Sequence, residues 1–143
     1  MCGIIGYAGG RNAPDVLIGG LEKLEYRGYD SAGIAVFEKD GVRVVKTQGK
    51  VERLRRKVER AALAEVHCGI GHTRWATHGE PSDTNAHPHT VGHVTLVHNG
   101  IIENYHDLAA KYHPSPVSDT DTEIAAAVIN ACYRGDPQKA IFE

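Results

Sequence analysis

Cys2 stands directly behind the initiator methionine, and that position opens a chemistry closed to an internal cysteine. Its small side chain permits removal of Met1, which would leave one residue carrying both a thiol and a free α-amine. An α-amine with a pKa of about 7.7 to 8.0 is substantially neutral near pH 7 to 8. It can therefore take the proton of its own thiol, directly or through water. Nucleophile and base then come from a single residue, the arrangement used by N-terminal nucleophiles. Position alone is weak ground for catalysis, because a cysteine's reactivity is set by what surrounds its sulfur. The chain has three cysteines. Cys68, in a strand-like segment, and Cys132, in an apolar helical pattern, read as small core residues.

Other candidate chemistries are poorly supported. Nine histidines invite a metal, with His72 and His78, or His87 and His89, as ligands. The spacing matches neither HExxH nor paired Cys-x-x-Cys, and no metal or other cofactor is expected. Gly9-Gly10 and Gly3-x-x-Gly6 are not followed by Gly-Lys-Ser/Thr, so they make no phosphate loop. A net charge of −2 without a basic, aromatic-studded stripe argues against nucleic acid. No apolar run approaches the roughly 18 to 20 residues of a membrane span, and no secretory signal opens the chain. With an odd cysteine count, this predicts a cytoplasmic protein.

The elements that must position Cys2 can be read from periodicity. Gly3 to Ala8 reads as a short buried strand. A helix follows, with Asn12 as N-cap, Pro14 in its first turn and Leu17, Leu21 and Leu24 at helical spacing. Gly19 and Gly20 within it predict close packing against a neighbour. Ala32 to Glu38 and Val42 to Thr47 alternate as strands around an Asp40-Gly41 hairpin turn. Val51 to Leu63 reads as an amphipathic helix, and Cys68 to Thr73 as a strand. Arg74 to Thr90 has no period and reads as a long functional loop. Val94 to Val97 is a further strand, and Asn104 to Tyr112 a short helix. Thr120 and Glu123 have capping-box spacing ahead of a helix from Thr122 to Arg134, and Asp136-Pro137 opens another. That last helix is about two turns old at Glu143, which reads as a domain cut short.

Five blocks, in order, carry a resemblance. They are Cys2-Gly3-Ile4-Ile5-Gly6, Glu25 to Gly33 (EYRGYDSAG), Gly69 to Gly79 (GIGHTRWATHG) leading to Asn85-Ala86-His87-Pro88, His98 to Asn104 (HNGIIEN), and Thr120 to Glu123 (TDTE). Together they resemble the class II glutamine amidotransferases, from Cys2 to at least Ile129. The Tyr-Arg-Gly-Tyr-Asp-Ser and Thr-Arg-Trp-Ala-Thr-His blocks are the specific ones. They point to the branch of the family that aminates fructose 6-phosphate to glucosamine 6-phosphate.

The resemblance implies an α+β fold, a four-layer α-β-β-α sandwich of antiparallel sheets with an N-terminal nucleophile, incomplete at its C-terminus. It implies that residues 1–143 are the glutamine amidotransferase domain of a longer enzyme whose sugar isomerase domain is absent from this sequence. Cys2 would attack L-glutamine, forming a thioester that water hydrolyses to glutamate, with ammonia released. Asn99 and Gly100 match the oxyanion hole, although Asn-Gly after a strand is otherwise an ordinary turn. Arg74 matches the residue that grips the glutamine α-carboxylate, and a guanidinium fork suits that task. Asp121 matches the acceptor of the α-ammonium, alongside an ordinary helix-cap role. Trp75, Thr77 and His78 match the closing loop, and His87 a residue near the glutamine. Arg27 and Gly28 match a support for the nucleophile's surroundings; a surface salt bridge is the plain reading of Arg27. The connection from Tyr112 to Ser118 is shorter than the family's usual one, and Asp121 hangs on it. The whole enzyme is expected to be a homodimer without nucleic-acid or membrane partners. The alternatives are the glutaminase domain of another class II amidotransferase, and a catalytically silent fragment.

Overall fold

In the computed structural model, residues 1–76 and 79–142 are described. The strands expected at the start of the chain pair antiparallel in one sheet. It contains β1 (Gly3–Ala8), β2 (Ser31–Glu38), β3 (Gly41–Gln48) and β4 (Cys68–Arg74), in the order β1-β4-β2-β3. The Asp40-Gly41 turn joins β2 to β3, with Glu38 opposite Gly41. β5 (His89–Val91) and β6 (Val94–Leu96) form a second, two-stranded sheet. The helices are α1 (Ala13–Leu24), α2 (Val51–Arg60), α3 (Tyr105–Tyr112), α4 (Asp121–Cys132) and α5 (Pro137–Phe142).

Side chains on a strand alternate between faces, and the two faces of the larger sheet have opposite characters. Ile34, Val36 and Val45 point to one side and join Leu17, Leu21, Val51 and Leu54 from α1 and α2 in the core. The other side carries His72 and Arg74 from β4 and Lys46 from β3, and Gly33 of β2 lies directly beneath the His87 carbonyl. On that side lie His87 and the small sheet, with α4 packed on β5 and β6 and in contact with α3 and α5. The layers thus run helix, sheet, sheet, helix, the expected sandwich. Between its sheets lies a polar seam.

Several local expectations change in detail. Gly20 packs against Ile5 as expected, whereas Gly19 faces open space. Asn12 occupies the N-cap position of α1 without capping it; its Nδ2 donates to Asp15 at 2.9 Å and its Oδ1 accepts from Val66 N–H at 3.4 Å. The second helix stops at Arg60 rather than Leu63. The stretch read as loop is shorter at both ends, since Arg74 closes β4 and β5 begins at His89; three residues in a polar segment show no period. Cys68 is exposed and Cys132 only half-buried, so neither is a true core residue. Thr120 caps α4 by accepting from Glu123 N–H at 3.3 Å. Glu123 does not complete the box, and instead accepts from Val117 and Ser118 N–H at 3.1 and 2.6 Å, fixing the short connection. Burial works against its charge, but Ser118 and these backbone donors outweigh it and hold the carboxyl below its ordinary range. No helix among the described residues is long and apolar enough to cross a membrane.

Candidate active site

Sheet register decides where Cys2 lies. Gly3 pairs with Thr73, so the residue before β1 is set beside the end of β4. The Thr73 hydroxyl fastens the register by accepting from Gly3 N–H at 3.0 Å. Trp75 N–H donates to Cys2 Sγ at 3.3 Å, and Trp75 O lies 3.7 Å from the same sulfur. An N–H aimed at sulfur stabilises negative charge there. Met1 precedes Cys2, and its ammonium donates to Arg27 O at 3.0 Å.

Arg27 and Gly28 do not line the cavity that Cys2 opens into. Arg27 holds the N-terminus through its carbonyl, with Nη2 3.8 Å from Met1 Sδ. Gly28 adopts φ +116°, and a Cβ there would overlap the Trp75 indole. Arg27 thus meets the residue before Cys2, and Gly28 lets the Trp75 ring lie against bare backbone. Gly28→Ala combines a left-handed backbone with a steric clash. We expect it to lower unfolding free energy by about 1–3 kcal/mol. It should also shift the emission of Trp75, the single tryptophan of the chain. Unchanged stability and emission in denaturant titrations would contradict this contact.

The cavity has a volume of about 240 Å³ and brings together Cys2, Arg74, Trp75, His87, Asn99, Gly100 and Asp121. These come from the chain start, β4, the loop before β5, the turn after β6, and α4. Thr77 and His78 lie outside the described residues. His72, weighed from sequence only as a metal ligand, also lines it, as do His98, Ile101, Thr120 and Thr122, which sequence reading did not assign to the site. The TDTE and HNGI blocks contain these last four. A larger hollow of about 490 Å³ beside Lys46 and Glu123 contains no cysteine.

Opposite charges flank the cavity. Arg74 is 4% exposed, with Nη2 donating to Gly79 O at 3.0 Å and Nη1 lying 3.9 Å from Asp30 Oδ1. Asp30 also accepts from Ala76 N–H and from the Ser31 hydroxyl, so it ties together the strand ends around Arg74. Asp121, also 4% exposed, opens α4 and accepts from Ile102 N–H at 2.8 Å. The cap of α4 is Thr120, and Asp121 is an acidic residue of its first turn that also lines the cavity. A buried guanidinium and a buried carboxylate, both lining one small cavity, complement the two charges of an α-amino acid. Ligand pockets for drug-sized molecules run to roughly 300–1,000 Å³, so this one suits something smaller.

In the cavity wall the rings of His72 and His87 stack with centroids 4.3 Å apart, and His89, outside the lining, meets His87 edge-on at 4.8 Å. Burial pushes His72 and His89 down to about 4, with Arg74 adding to the effect on His72 and Lys46 to that on His89. Burial, then the neighbouring His72, pushes His87 down as well. All three are neutral at pH 7, and among the described residues no group of side chains is arranged to hold a metal. Unfolded histidines titrate near 6.5. As pH falls below that value the unfolded chain binds protons that the native cluster refuses. Stability must therefore fall between pH 6.5 and about 4, by up to roughly 1.4 kcal/mol per pH unit for each histidine. Urea unfolding at pH 7.5, 6 and 5 should show a falling midpoint; a constant or rising one would contradict the burial of these rings.

A family model described as "Glutamine amidotransferases class-II" matches residues 21–135. The chain belongs to that family. A glutamine–fructose-6-phosphate aminotransferase (isomerizing) of Thermus thermophilus is 54% identical, with the alignment covering 100% of this chain and 24% of the relative. The enzyme of the same name from Bacillus subtilis is 55% identical over 94% of this chain and 23% of the relative. The chain thus spans about a quarter of the length of these relatives. Among solved structures, an allosteric regulatory enzyme of purine biosynthesis superposes with TM-score 0.82 at 25% identity, covering 99% of this chain and 32% of that one. The phosphoribosylpyrophosphate amidotransferase of B. subtilis, complexed with ADP and GMP, gives 0.77 at 24% identity, with coverages of 99% and 31%. The second likeness concerns the fold alone.

Proposed function

We propose that this chain hydrolyses L-glutamine to glutamate and ammonia through a thioester on Cys2. The observation that carries the reading is the single small cavity shared by a thiol, an Asn-Gly turn, a buried guanidinium and a buried carboxylate. Glutamine's α-carboxylate pairs with Arg74 and its α-ammonium with Asp121, which sets its side-chain amide toward Cys2. Once Met1 is removed, the free amine of Cys2 takes the thiol proton. The sulfur forms a bond to the amide carbon, and the carbonyl electrons move to oxygen. The Asn99 side-chain amide and the Gly100 N–H donate to that oxyanion. The ammonium of Cys2 returns its proton to the leaving nitrogen as the C–N bond breaks, and ammonia departs. Water then adds to the thioester, the C–S bond breaks, and glutamate leaves with the thiol restored.

In the longer enzyme the ammonia serves the amination of fructose 6-phosphate to glucosamine 6-phosphate on a separate sugar isomerase domain, within a cytoplasmic homodimer. The names of the relatives and the coverage of only their first quarter support this second reading. The test of the first is glutamate release from L-glutamine. Protein shown by mass to begin at Cys2 should be active, and protein that keeps Met1 should be inactive. Equal rates from the two forms would remove the α-amine from the mechanism.

A further inference from the structure

The turn that presents Asn99 and Gly100 needs support that its backbone does not provide. β6 ends at Leu96. Among the described residues no backbone-to-backbone hydrogen bond reaches His98, Asn99 or Gly100. Both oxyanion donors are exposed at the mouth of the cavity. A loosely held donor is a poor one, because electrostatic stabilisation depends on dipoles already aimed where charge develops.

Side chains fill the gap at His98. Its N–H donates to His87 Nδ1 at 3.4 Å, and its carbonyl accepts from His72 Nε2 at 3.1 Å. Its own Nδ1 lies 3.4 Å from the Thr122 hydroxyl on α4. The two backbone partners have fixed roles, so they settle the tautomers. His72 must carry its proton on Nε2, leaving Nδ1 bare, and that Nδ1 is one of two buried side-chain atoms among the described residues without a hydrogen-bond partner, the other being Arg27 Nε. A bare lone pair there costs less than an orphaned N–H. His87 must keep Nδ1 bare to accept. We propose that His72 and His87 are positioning residues that clamp the His98 backbone from both sides and so hold the oxyanion donors in register.

The clamp rests on the glutaminase reading for its catalytic consequence, and on geometry alone for its existence. Neutrality is part of it, since a proton on His87 Nδ1 would remove the acceptor and two stacked imidazoliums would repel. The His98 carbonyl, which accepts from His72, favours a charged ring, but burial outweighs it and the nearby positive groups add to burial. Arg74, Lys46 and His89 face the rings, burial excludes water, and the carboxylates Glu123 and Asp121 act on His89. His98 itself lies under Gly100, where a Cβ would meet its ring at 2.9 Å.

The test uses protein freed of Met1 and reads amide exchange at His98 together with glutamate release. His87→Ala should speed His98 exchange by at least about tenfold. It should lower kcat roughly 10–100-fold while KM stays within about threefold, because the groups assigned to binding glutamine's charged ends are untouched. His87→Asn, whose amide oxygen can stand where Nδ1 stood, should recover most of both. His72→Ala should lower kcat similarly, and His72→Gln, whose amide N–H can stand where Nε2 stood, should restore it. Alkylation of Cys2 by iodoacetamide, which needs no oxyanion hole, should be unchanged throughout. Folded alanine variants with normal exchange and normal kcat would overturn the clamp. So would equal losses of kcat and alkylation in the alanine and amide variants, which would mark general damage. If the unmodified protein releases no glutamate but exchange responds as stated, the glutaminase reading fails and the clamp stands.

Discussion

Cys2→Ala is expected to abolish glutamate release, by at least about 10,000-fold in kcat, with the fold retained. The size of the effect follows from one residue holding two roles. Removing the sulfur removes the atom that bonds to the amide carbon, and the remaining amine is left with no proton to manage. No neighbouring group stands in: among the cavity-lining residues Cys2 is the lone cysteine, and the histidines behind it are neutral rings committed to one another and to His98. Stability should change by about 1 kcal/mol or less, since the side chain is only half-buried and its hydrogen bond to Trp75 N–H is a weak one to sulfur. Glutamate release and circular dichroism on the same preparation separate these effects. A folded variant that still hydrolyses glutamine would remove Cys2 from the reaction.

Asn99→Ala should lower kcat about 100- to 1,000-fold, the loss of roughly 3–4 kcal/mol typical of one oxyanion donor, with KM nearly unchanged. Asn99 is exposed in the turn after β6, so truncation costs little packing and the kinetic effect can be read without a folding correction. Gly100 contributes a backbone N–H that mutation of its neighbour leaves in place, which keeps the loss short of complete. A rise in KM with kcat preserved, seen in steady-state kinetics, would show that Asn99 binds ground-state glutamine instead.

Features carried by neighbouring residues in the chain were legible in advance. The β2–β3 hairpin follows from alternation around Asp40-Gly41, and Thr120 caps α4 as its spacing with Glu123 suggests. The motif blocks contain Cys2, Arg74, Asn99 and Asp121, and the structure gathers all four in one cavity. What escaped depends on contacts between distant segments. His72, His87 and His98 come from β4, the loop before β5 and the turn after β6, so no spacing rule links them, and nine scattered histidines suggest a metal before they suggest a stack. Gly28 has a reason to be glycine only once the Trp75 ring is seen against it, 47 residues away (75 − 28). Glu123 has the right spacing to complete its capping box, yet its carboxylate turns to Val117 and Ser118, where two backbone donors outcompete one.

Peptide mapping by mass spectrometry, after treatment with a glutamine analogue bearing an electrophilic diazoketone, tests the nucleophile most directly. One adduct per chain is expected, on the sulfur of an N-terminal Cys2, with L-glutamine protecting against it. An adduct on Cys68, Cys132 or a histidine, or none while hydrolysis proceeds, would contradict it.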